Sequence, residues 1–208
     1  HGRYRWETGH GIVSNDIQRA VFFSFSLNRS DCAALSSTVT QTAMNEPESQ
    51  AAAVAAYLTR ENGDSLWAKA AAAVFRAAPG AYLEHLPATV LCLQTSQPLA
   101  AKLTRLGFTV NVAPTGPLDV AIVFATKHKE EVLYHLALAA EALVEGGTLI
   151  ISAANTLGAP SLERRCAELM GNAESYSKHN CRVIRAVKRS AELDQTLLET
   201  WRKAGELR

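Results

Sequence analysis

The sequence has few of the features that mark membrane, metal-binding or strongly nucleic-acid-binding proteins. It contains no apolar run of about 18 residues, so we expect no membrane span. Its 21 lysines and arginines are balanced by 20 acidic residues, a formal net charge of +1. Because affinity for phosphates depends on the cations that meet them, any contact with RNA would require a local basic patch.

Cysteine is also scarce and scattered. The four cysteines show neither CxxC nor Cys/His spacing of the zinc type, so no metal site is predicted. Cys92 lies in an apolar run, where a thiol behaves as a small hydrophobic side chain. We therefore expect a reduced, cytoplasmic protein.

The remaining pattern is an alternation of strands and helices. Two helices are predicted first, over residues 48–60 and 65–78, the second with Asp64 as its N-cap and Pro79-Gly80 as its end. Predicted strands follow at residues 89–93, 108–112, 119–124, 148–152, 173–177 and 182–187, and predicted helices at 97–106, 129–144, 161–170 and 191–203. This order predicts an α/β, doubly wound fold with a mostly parallel sheet, an antiparallel edge and helices on both faces.

The ends of the chain differ from this centre. Residues 1–45 show no sustained period, apart from a short candidate strand at 21–25, and we interpret them as an extension. This extension could be disordered, or it could precede a native start at Met44. Because the chain begins with His1 and stops just after a helical pattern, we expect part of a longer protein.

Glycine is missing where a nucleotide-binding fold needs it. The turn after the first strand normally carries glycines that let the backbone approach the ligand. With residues 89–93 taken as that strand, the turn is residues 94–97, which lack glycine, and Ser96 is favoured as a helix N-cap. The next strand offers only Asn111 where an acid would bind ribose. We predict no cofactor-binding residues.

Polar residues occur at both ends of the central predicted strand, residues 119–124. Asp119 could be a site residue, but a role at strand entry is favoured. Lys127, His128 and Lys129 follow the carboxyl end of that strand, where open α/β sheets place their ligand crevice. This cluster could hold phosphate, although a solvated helix start is the favoured alternative.

The densest polar segment is residues 177–182, which we interpret as a hairpin with a basic rim. A nucleophilic pair of Cys181 and His179 is disfavoured, since catalytic dyads are assembled across the fold and oriented by a third group. Candidate RNA contacts, if they share a face, are Lys178, His179, Arg182 and Arg185. The alternative is an ordinary surface on which Glu163, Glu168 and Glu174 offset these cations.

Two segments resemble a known family. EALVEGGTLIIS resembles the late L-x-x-G-G-x-L-(I/V) element of class I methyltransferases. Residues 161–188 resemble the end of the N-terminal domain in bacterial small-subunit rRNA guanine-N2 methyltransferases, where S-L-x-x-R and S-K-x-x-x-R-V recur. These elements are Ser161-Leu162, Arg165, Ser177-Lys178 and Arg182-Val183. The resemblance covers roughly residues 48–208.

The resemblance implies a Rossmann-like methyltransferase domain over residues 46–188 that is degenerate and non-catalytic. It would support RNA binding and a C-terminal catalytic domain that uses S-adenosylmethionine, so ribosomal RNA and that domain are the expected partners. Residues 189–208 would lead into the second domain, with Trp201 exposed to dock against it. The family's Asn-Pro-Pro motif is absent, so no catalytic residue is assigned. The alternatives are an independent methyltransferase with an atypical cofactor loop and a pure protein-interaction module.

Overall fold

Seven strands form one mixed sheet in the computed structural model, which describes residues 45–61 and 71–206. The strands are β1 (Ala72–Phe75), β2 (Leu91–Leu93), β3 (Thr109–Asn111), β4 (Leu118–Phe124), β5 (Leu143–Ala154), β6 (Glu174–Lys178) and β7 (Cys181–Val187). Their order is β3-β2-β1-β4-β5-β7-β6. Neighbouring strands from β3 to β5 pair in parallel, while β7 pairs antiparallel with both β5 and β6. The predicted mostly parallel sheet with an antiparallel edge is confirmed.

Helices cover both faces of this sheet, as predicted. They are α1 (Glu46–Arg60), α2 (Gln97–Arg105), α3 (Lys129–Ala142), α4 (Ala159–Met170) and α5 (Gln195–Glu206). Alternate residues of β4 enter two separate cores: Val120 and Ile122 pack on the side of α1, and Ala121 and Val123 on the side of α3. A strand with apolar side chains on both faces is therefore buried between two helical layers.

The predicted helix over residues 65–78 is wrong where β1 lies. Ala72–Phe75 is a fully buried strand that pairs with β2 on one side and β4 on the other. A run of alanines has high helix propensity, but sheet pairing at the centre of the fold overrides that weak local preference. Residues 62–70, with the proposed cap Asp64, lie outside the described part of the chain, as does the candidate strand at 21–25.

Burial of the last helix corrects a second expectation. Leu198 and Trp201 are each only 5% exposed and belong to the same core as the apolar side chains of α3. The helices approach closely, since a Cβ added at Gly205 would lie 2.2 Å from Tyr134 Cγ. Trp201 therefore packs inside this domain, and the expectation of an exposed docking residue is wrong.

The paired glycines after α3 do not end that helix. It ends at Ala142, and β5 begins at the next residue, so Gly146 and Gly147 lie inside the strand. Gly146 has a positive φ of 77°, a conformation that favours glycine.

Among residues 45–61 and 71–206, none of the helices has the length and apolar character of a membrane span.

Candidate functional site

The ligand crevice of such a sheet lies at the carboxyl ends of β1, β2 and β4, where the strand order reverses. The loop after the first strand is residues 76–80, because β1 precedes the strand that the sequence suggested as first. The predicted cofactor loop at residues 94–97 in fact follows β2, and Asn111 ends β3. Both assignments are wrong by one strand, since the alanine-rich β1 was not recognised.

Backbone groups of the loop at residues 76–80 are largely engaged within the protein. The Ala77 amide donates to the Leu93 carbonyl at 3.1 Å. The Ala78 amide donates to the Tyr82 hydroxyl at 3.2 Å, and that hydroxyl donates to the Ala78 carbonyl at 2.8 Å. Tyr82 is 1% exposed, and burial raises the pKa of its phenol. The hydroxyl therefore stays neutral and keeps both hydrogen bonds to Ala78.

Gly80 is the one glycine of this loop, and it serves packing. Its φ of −179° is ordinary extended backbone. A Cβ at this position would lie 2.7 Å from the Ala51 Cβ of α1. The absence of a side chain at Gly80 therefore allows α1 to pack closely against the loop.

Gln94 occupies the position after β2 at which this fold usually presents an acid to ribose. Its Nε2 donates to the Ala77 carbonyl at 2.7 Å, and its Oε1 accepts from the Ser96 amide at 2.8 Å. Ser96 is the N-cap residue of α2, as predicted, although its side chain makes no capping hydrogen bond. Both polar atoms of the Gln94 side chain are thus hydrogen-bonded, and the side chain links the loop after β2 to the loop after β1.

An ion pair spans the two sides of the crevice. The Arg76 guanidinium, which follows β1, pairs with the Glu131 carboxylate of α3. Thr126, after β4, donates its hydroxyl to Glu131 Oε2 at 3.1 Å. Arg76 has a φ of 56°, uncommon for a residue with a side chain.

A cavity of about 330 Å³ remains beside this ion pair, lined by α1, the residues after β1 and β2, and the end of β4. Gln50 of α1 is one of the lining residues and is 3% exposed. Its Nε2 donates to the Ala125 carbonyl at 3.1 Å, whereas its Oε1 has no hydrogen-bond partner within the described ranges. This volume is at the lower end of ligand pockets.

A second cavity, of about 350 Å³, lies beyond the ends of β4 and β5, between α3 and α4. The predicted Lys127 lines it, together with Lys129 and Arg165. His128 is the N-cap residue of α3 and is exposed, but it does not line this cavity. The structure therefore adds Arg165, from a distant segment, to the predicted cluster.

Asp119 lies near the amino end of β4, at the end of the sheet opposite to the crevice. Its Oδ2 accepts a hydrogen bond from the Ala71 amide at 2.8 Å. The favoured role at strand entry is confirmed.

The basic C-terminal residues are divided between the two faces of the sheet. His179 and Asn180, with φ of 52° and 56°, form the predicted tight hairpin, and Lys178 and His179 are exposed at its tip. Arg182 points to α4 and pairs with Glu163, whereas Arg185 pairs with Glu174 at 3.7 Å on the side of α1. The four candidate RNA contacts therefore do not share one face, and acidic neighbours offset two of them.

The described cysteines are buried thiols. Cys181 is 1% exposed, and burial raises its pKa to about 11. Burial likewise raises the pKa of Cys92 to about 11 and that of Cys166 to about 12. A thiol with so high a pKa is a poor nucleophile at neutral pH. No cluster of metal-ligating side chains occurs in residues 45–61 and 71–206.

The strand order, with β7 inserted antiparallel between β5 and β6, is that of the class I S-adenosylmethionine-dependent methyltransferase fold. A family model described as "methyltransferase small domain N-terminal" matches residues 87–203, more than half of the chain. The chain belongs to this family, and the expected membership is confirmed.

Several solved structures share the fold. The 16S rRNA N2 G1207 methyltransferase RsmC of T. thermophilus, in complex with AdoMet and guanosine, is 22% identical with a TM-score of 0.51; the match covers 60% of this chain and 36% of RsmC. The N-methyltransferase NodS from Bradyrhizobium japonicum WM9 is 13% identical with a TM-score of 0.49, covering 64% and 98%. An rRNA methylase from Streptococcus thermophilus is 16% identical with a TM-score of 0.46, covering 63% and 96%. No curated protein sequence matched. These low identities establish the fold alone.

Sequence reasoning missed the polar residues Gln50, Arg76 and Tyr82, which line the crevice, and Glu131, which pairs with Arg76. The signal that could have found them was the short run AAVF followed by Pro79-Gly80, which suits a buried strand and turn as well as a helix end. Once that strand is recognised, the two loops of the crevice follow from the topology.

Proposed function

We propose that this chain is the non-catalytic N-terminal domain of an rRNA (guanine-N2-)methyltransferase, which supports RNA binding and the catalytic domain. S-adenosylmethionine would be bound by another domain of the same protein. The observation that carries the proposal is the internal use of the crevice's polar groups by Tyr82 and Gln94.

Binding of a nucleoside cofactor here would require breaking these contacts. A loop that binds a cofactor offers free amides, and a ribose-binding position offers a free carboxylate. In this chain Tyr82 caps the Ala78 amide, and Gln94 is an amide with both ends hydrogen-bonded. A ligand would have to replace at least three hydrogen bonds, and each unsatisfied buried group costs about 1–3 kcal/mol.

The Arg76–Glu131 ion pair supports the same conclusion. It joins the loop after β1 to α3 across the crevice, with side-chain exposures of 40% and 28%. A partly exposed pair contributes little to stability, about 0–1 kcal/mol. Its effect here is geometric, because the two side chains occupy space above the strand ends.

The proposed organisation places residues 46–188 in the degenerate domain, to which the packed helix α5 is added, and residues 1–45 in an extension. RsmC, of which the match covers 36%, is more than twice as long as the matched region, which is consistent with a further catalytic domain in the proposed parent protein. The proposed compartment is the cytoplasm, which agrees with the free, buried cysteines 92, 166 and 181.

Calorimetric titration of the 208-residue chain with S-adenosylmethionine tests the absence of cofactor binding. We expect no saturable heat up to about 1 mM ligand, a threshold that corresponds to roughly 4 kcal/mol of binding free energy. A micromolar Kd would overturn the proposal. It would favour an independent methyltransferase with an atypical loop. The cavity supports that alternative, as does Gln50 Oε1, which has no partner in the part of the chain that the structure describes.

Binding of a labelled rRNA fragment tests the RNA role, and Lys178→Ala is the informative variant. Lys178 lies in the edge strand β6, whereas Lys102 lies in α2 beside the opposite edge strand β3, so Lys102→Ala is a matched control. We expect Lys178→Ala to weaken binding and to reduce the salt slope by about 0.7–0.9. Equal affinities and slopes for both variants would favour a pure protein-interaction module.

A further inference from the structure

We propose that the cavity between α3 and α4, beyond the ends of β4 and β5, is a phosphate-binding site. Its ligand would be the phosphate of an RNA strand or of a free nucleotide. The cavity adjoins the cofactor crevice at Ala125 and Thr126, which line both, but its cations Lys127, Lys129 and Arg165 do not line the crevice. A free-nucleotide ligand does not depend on the proposed function, whereas an RNA ligand rests on the RNA-binding role proposed above.

The cavity is basic at its rim and apolar at its floor. Its volume of about 350 Å³ is sufficient for a small ligand. Lys127 and Lys129 line it from the start of α3, and Arg165 from the second turn of α4. Its floor contains the buried side chains Val132, Leu133 and Leu162. An apolar floor lowers the local dielectric constant and strengthens an ion's attraction to the cations above it.

Arg165 differs from its neighbours because no acid pairs with it in the described structure. Its Nε is buried and has no hydrogen-bond partner within the described ranges. The adjacent Arg164 is 74% exposed at its side chain and pairs with Glu168 at 3.7 Å, and Arg182 pairs with Glu163 on the same helix. Arg165 therefore lines the cavity with a guanidinium that has no acidic partner among the described residues.

Lys127 and Lys129 resemble Arg165 in this respect. Neither Lys127 nor Lys129 forms an ion pair with another residue of the described ranges, and both are exposed at the rim. Acidic groups lie near the cavity: Glu46 accepts a hydrogen bond from the Thr156 hydroxyl at 2.5 Å and keeps its charge, whereas Glu131 pairs with Arg76. No carboxylate lines the cavity itself.

These features match a phosphate better than a carboxylate. The phosphate monoester of a free nucleotide carries about two negative charges and three acceptor oxygens at neutral pH. The phosphodiester of an RNA strand carries about one negative charge and accepts through its non-bridging oxygens. Two ammonium groups and one guanidinium supply three positive charges, and a guanidinium can bind two phosphate oxygens at once. The Ser161 hydroxyl, which also lines the cavity, is one more available donor.

The test measures binding of three probes to the full 208-residue chain: inorganic phosphate, guanosine monophosphate and a single-stranded oligoribonucleotide. The variant is Arg165→Gln. The matched control is Arg164→Gln, which removes the same charge from the preceding position of the same helix. We expect Arg165→Gln to weaken binding about tenfold to a hundredfold, as for the loss of a charged hydrogen bond. Arg164→Gln should stay within about twofold.

The probes separate the two phosphate sources. Arg165-dependent binding of phosphate or the mononucleotide identifies a nucleotide site. Dependence confined to the oligoribonucleotide identifies an RNA phosphate contact, with a salt slope lower by about 0.7 in Arg165→Gln. Equal affinities of both variants, or no binding of any probe, would overturn the proposal. Circular dichroism and the charge-preserving Arg165→Lys, which should retain part of the affinity, exclude misfolding as the cause of a loss. The S-adenosylmethionine titration is independent of all these outcomes.

Discussion

His135 of α3 is a polar ring in an aromatic environment. It is half-buried, its ring centroid lies 6.1 Å from that of Phe75, and its Nδ1 has no hydrogen-bond partner within the described ranges. Burial lowers the pKa of His135, while the nearby Glu131 acts in the opposite direction and Arg76 in the same direction. The folded protein therefore favours the neutral imidazole.

Replacement of His135 by leucine should reduce the pH dependence of stability. Because the pKa of His135 is lower in the folded state than its usual 6.5, the unfolded chain binds the proton first as the pH falls. The wild type should then lose free energy of unfolding below about pH 7, progressively through the unfolded pKa of about 6.5 and down to the folded pKa. Urea unfolding at pH 7.5 and 5.5 measures this loss. It should shrink in His135→Leu but persist in the control His85→Leu, since His85 is exposed. Identical losses in all three proteins would contradict the explanation.

The β6–β7 hairpin depends on two residues in an unusual conformation. His179 and Asn180 both have positive φ, which is the geometry of a type I′ turn. Asparagine tolerates this region, whereas most other residues with a Cβ pay about 1–2 kcal/mol. The turn sets the register in which Lys178 pairs with Cys181 at the edge of the sheet.

The double variant His179→Asn, Asn180→Gly should raise the free energy of unfolding by about 1 kcal/mol, because Asn-Gly is the preferred pair in this turn. Chemical denaturation at neutral pH measures the change. His179→Val serves as the opposite control, since a β-branched residue is poorly tolerated at positive φ and should destabilise the protein. A less stable Asn-Gly variant would show that the turn is not type I′.

Packing of α5 on α3 completes one of the two cores. Leu198 and Trp201 lie among the apolar side chains of α3 and α4, and Leu193 precedes them in the same cluster. The Asp194 amide donates to the Leu169 carbonyl at 2.9 Å, which joins the start of α5 to α4. The last helix is therefore structural for this domain.

Trp201→Ala should cost about 3–5 kcal/mol of unfolding free energy, as for other buried tryptophans. The control Lys203→Ala removes an exposed side chain of the same helix that pairs with Glu199 at 3.8 Å, and it should change stability by less than about 0.5 kcal/mol. Thermal and urea unfolding of both variants provide the comparison. A loss below about 1 kcal/mol for Trp201→Ala would mean that the helix does not pack as described.

Much of the fold was predictable because long apolar segments carry a clear period. The strand β4, the helix α2 and the hairpin at residues 179–180 were predicted close to their observed positions, whereas β5 begins at Leu143, five residues before the predicted strand. The site was less predictable. Its location depends on which strand is first, and the four residues of β1 have a local preference for helix.

The sequence alone therefore determined the α/β class, the antiparallel edge and the family, since each depends on local periodicity or on a contiguous motif. Only the tertiary structure decided that Tyr82 and Gln94 occupy the hydrogen bonds of the crevice, that Arg182 and Arg185 lie on opposite faces, and that Trp201 is buried. It also brought Arg165 to Lys127 and Lys129, 36 residues away at the nearest. Apart from the local bonds of Tyr82 to Ala78, these are contacts between distant segments. The strand order that creates them is set by the packing of two apolar cores on one sheet.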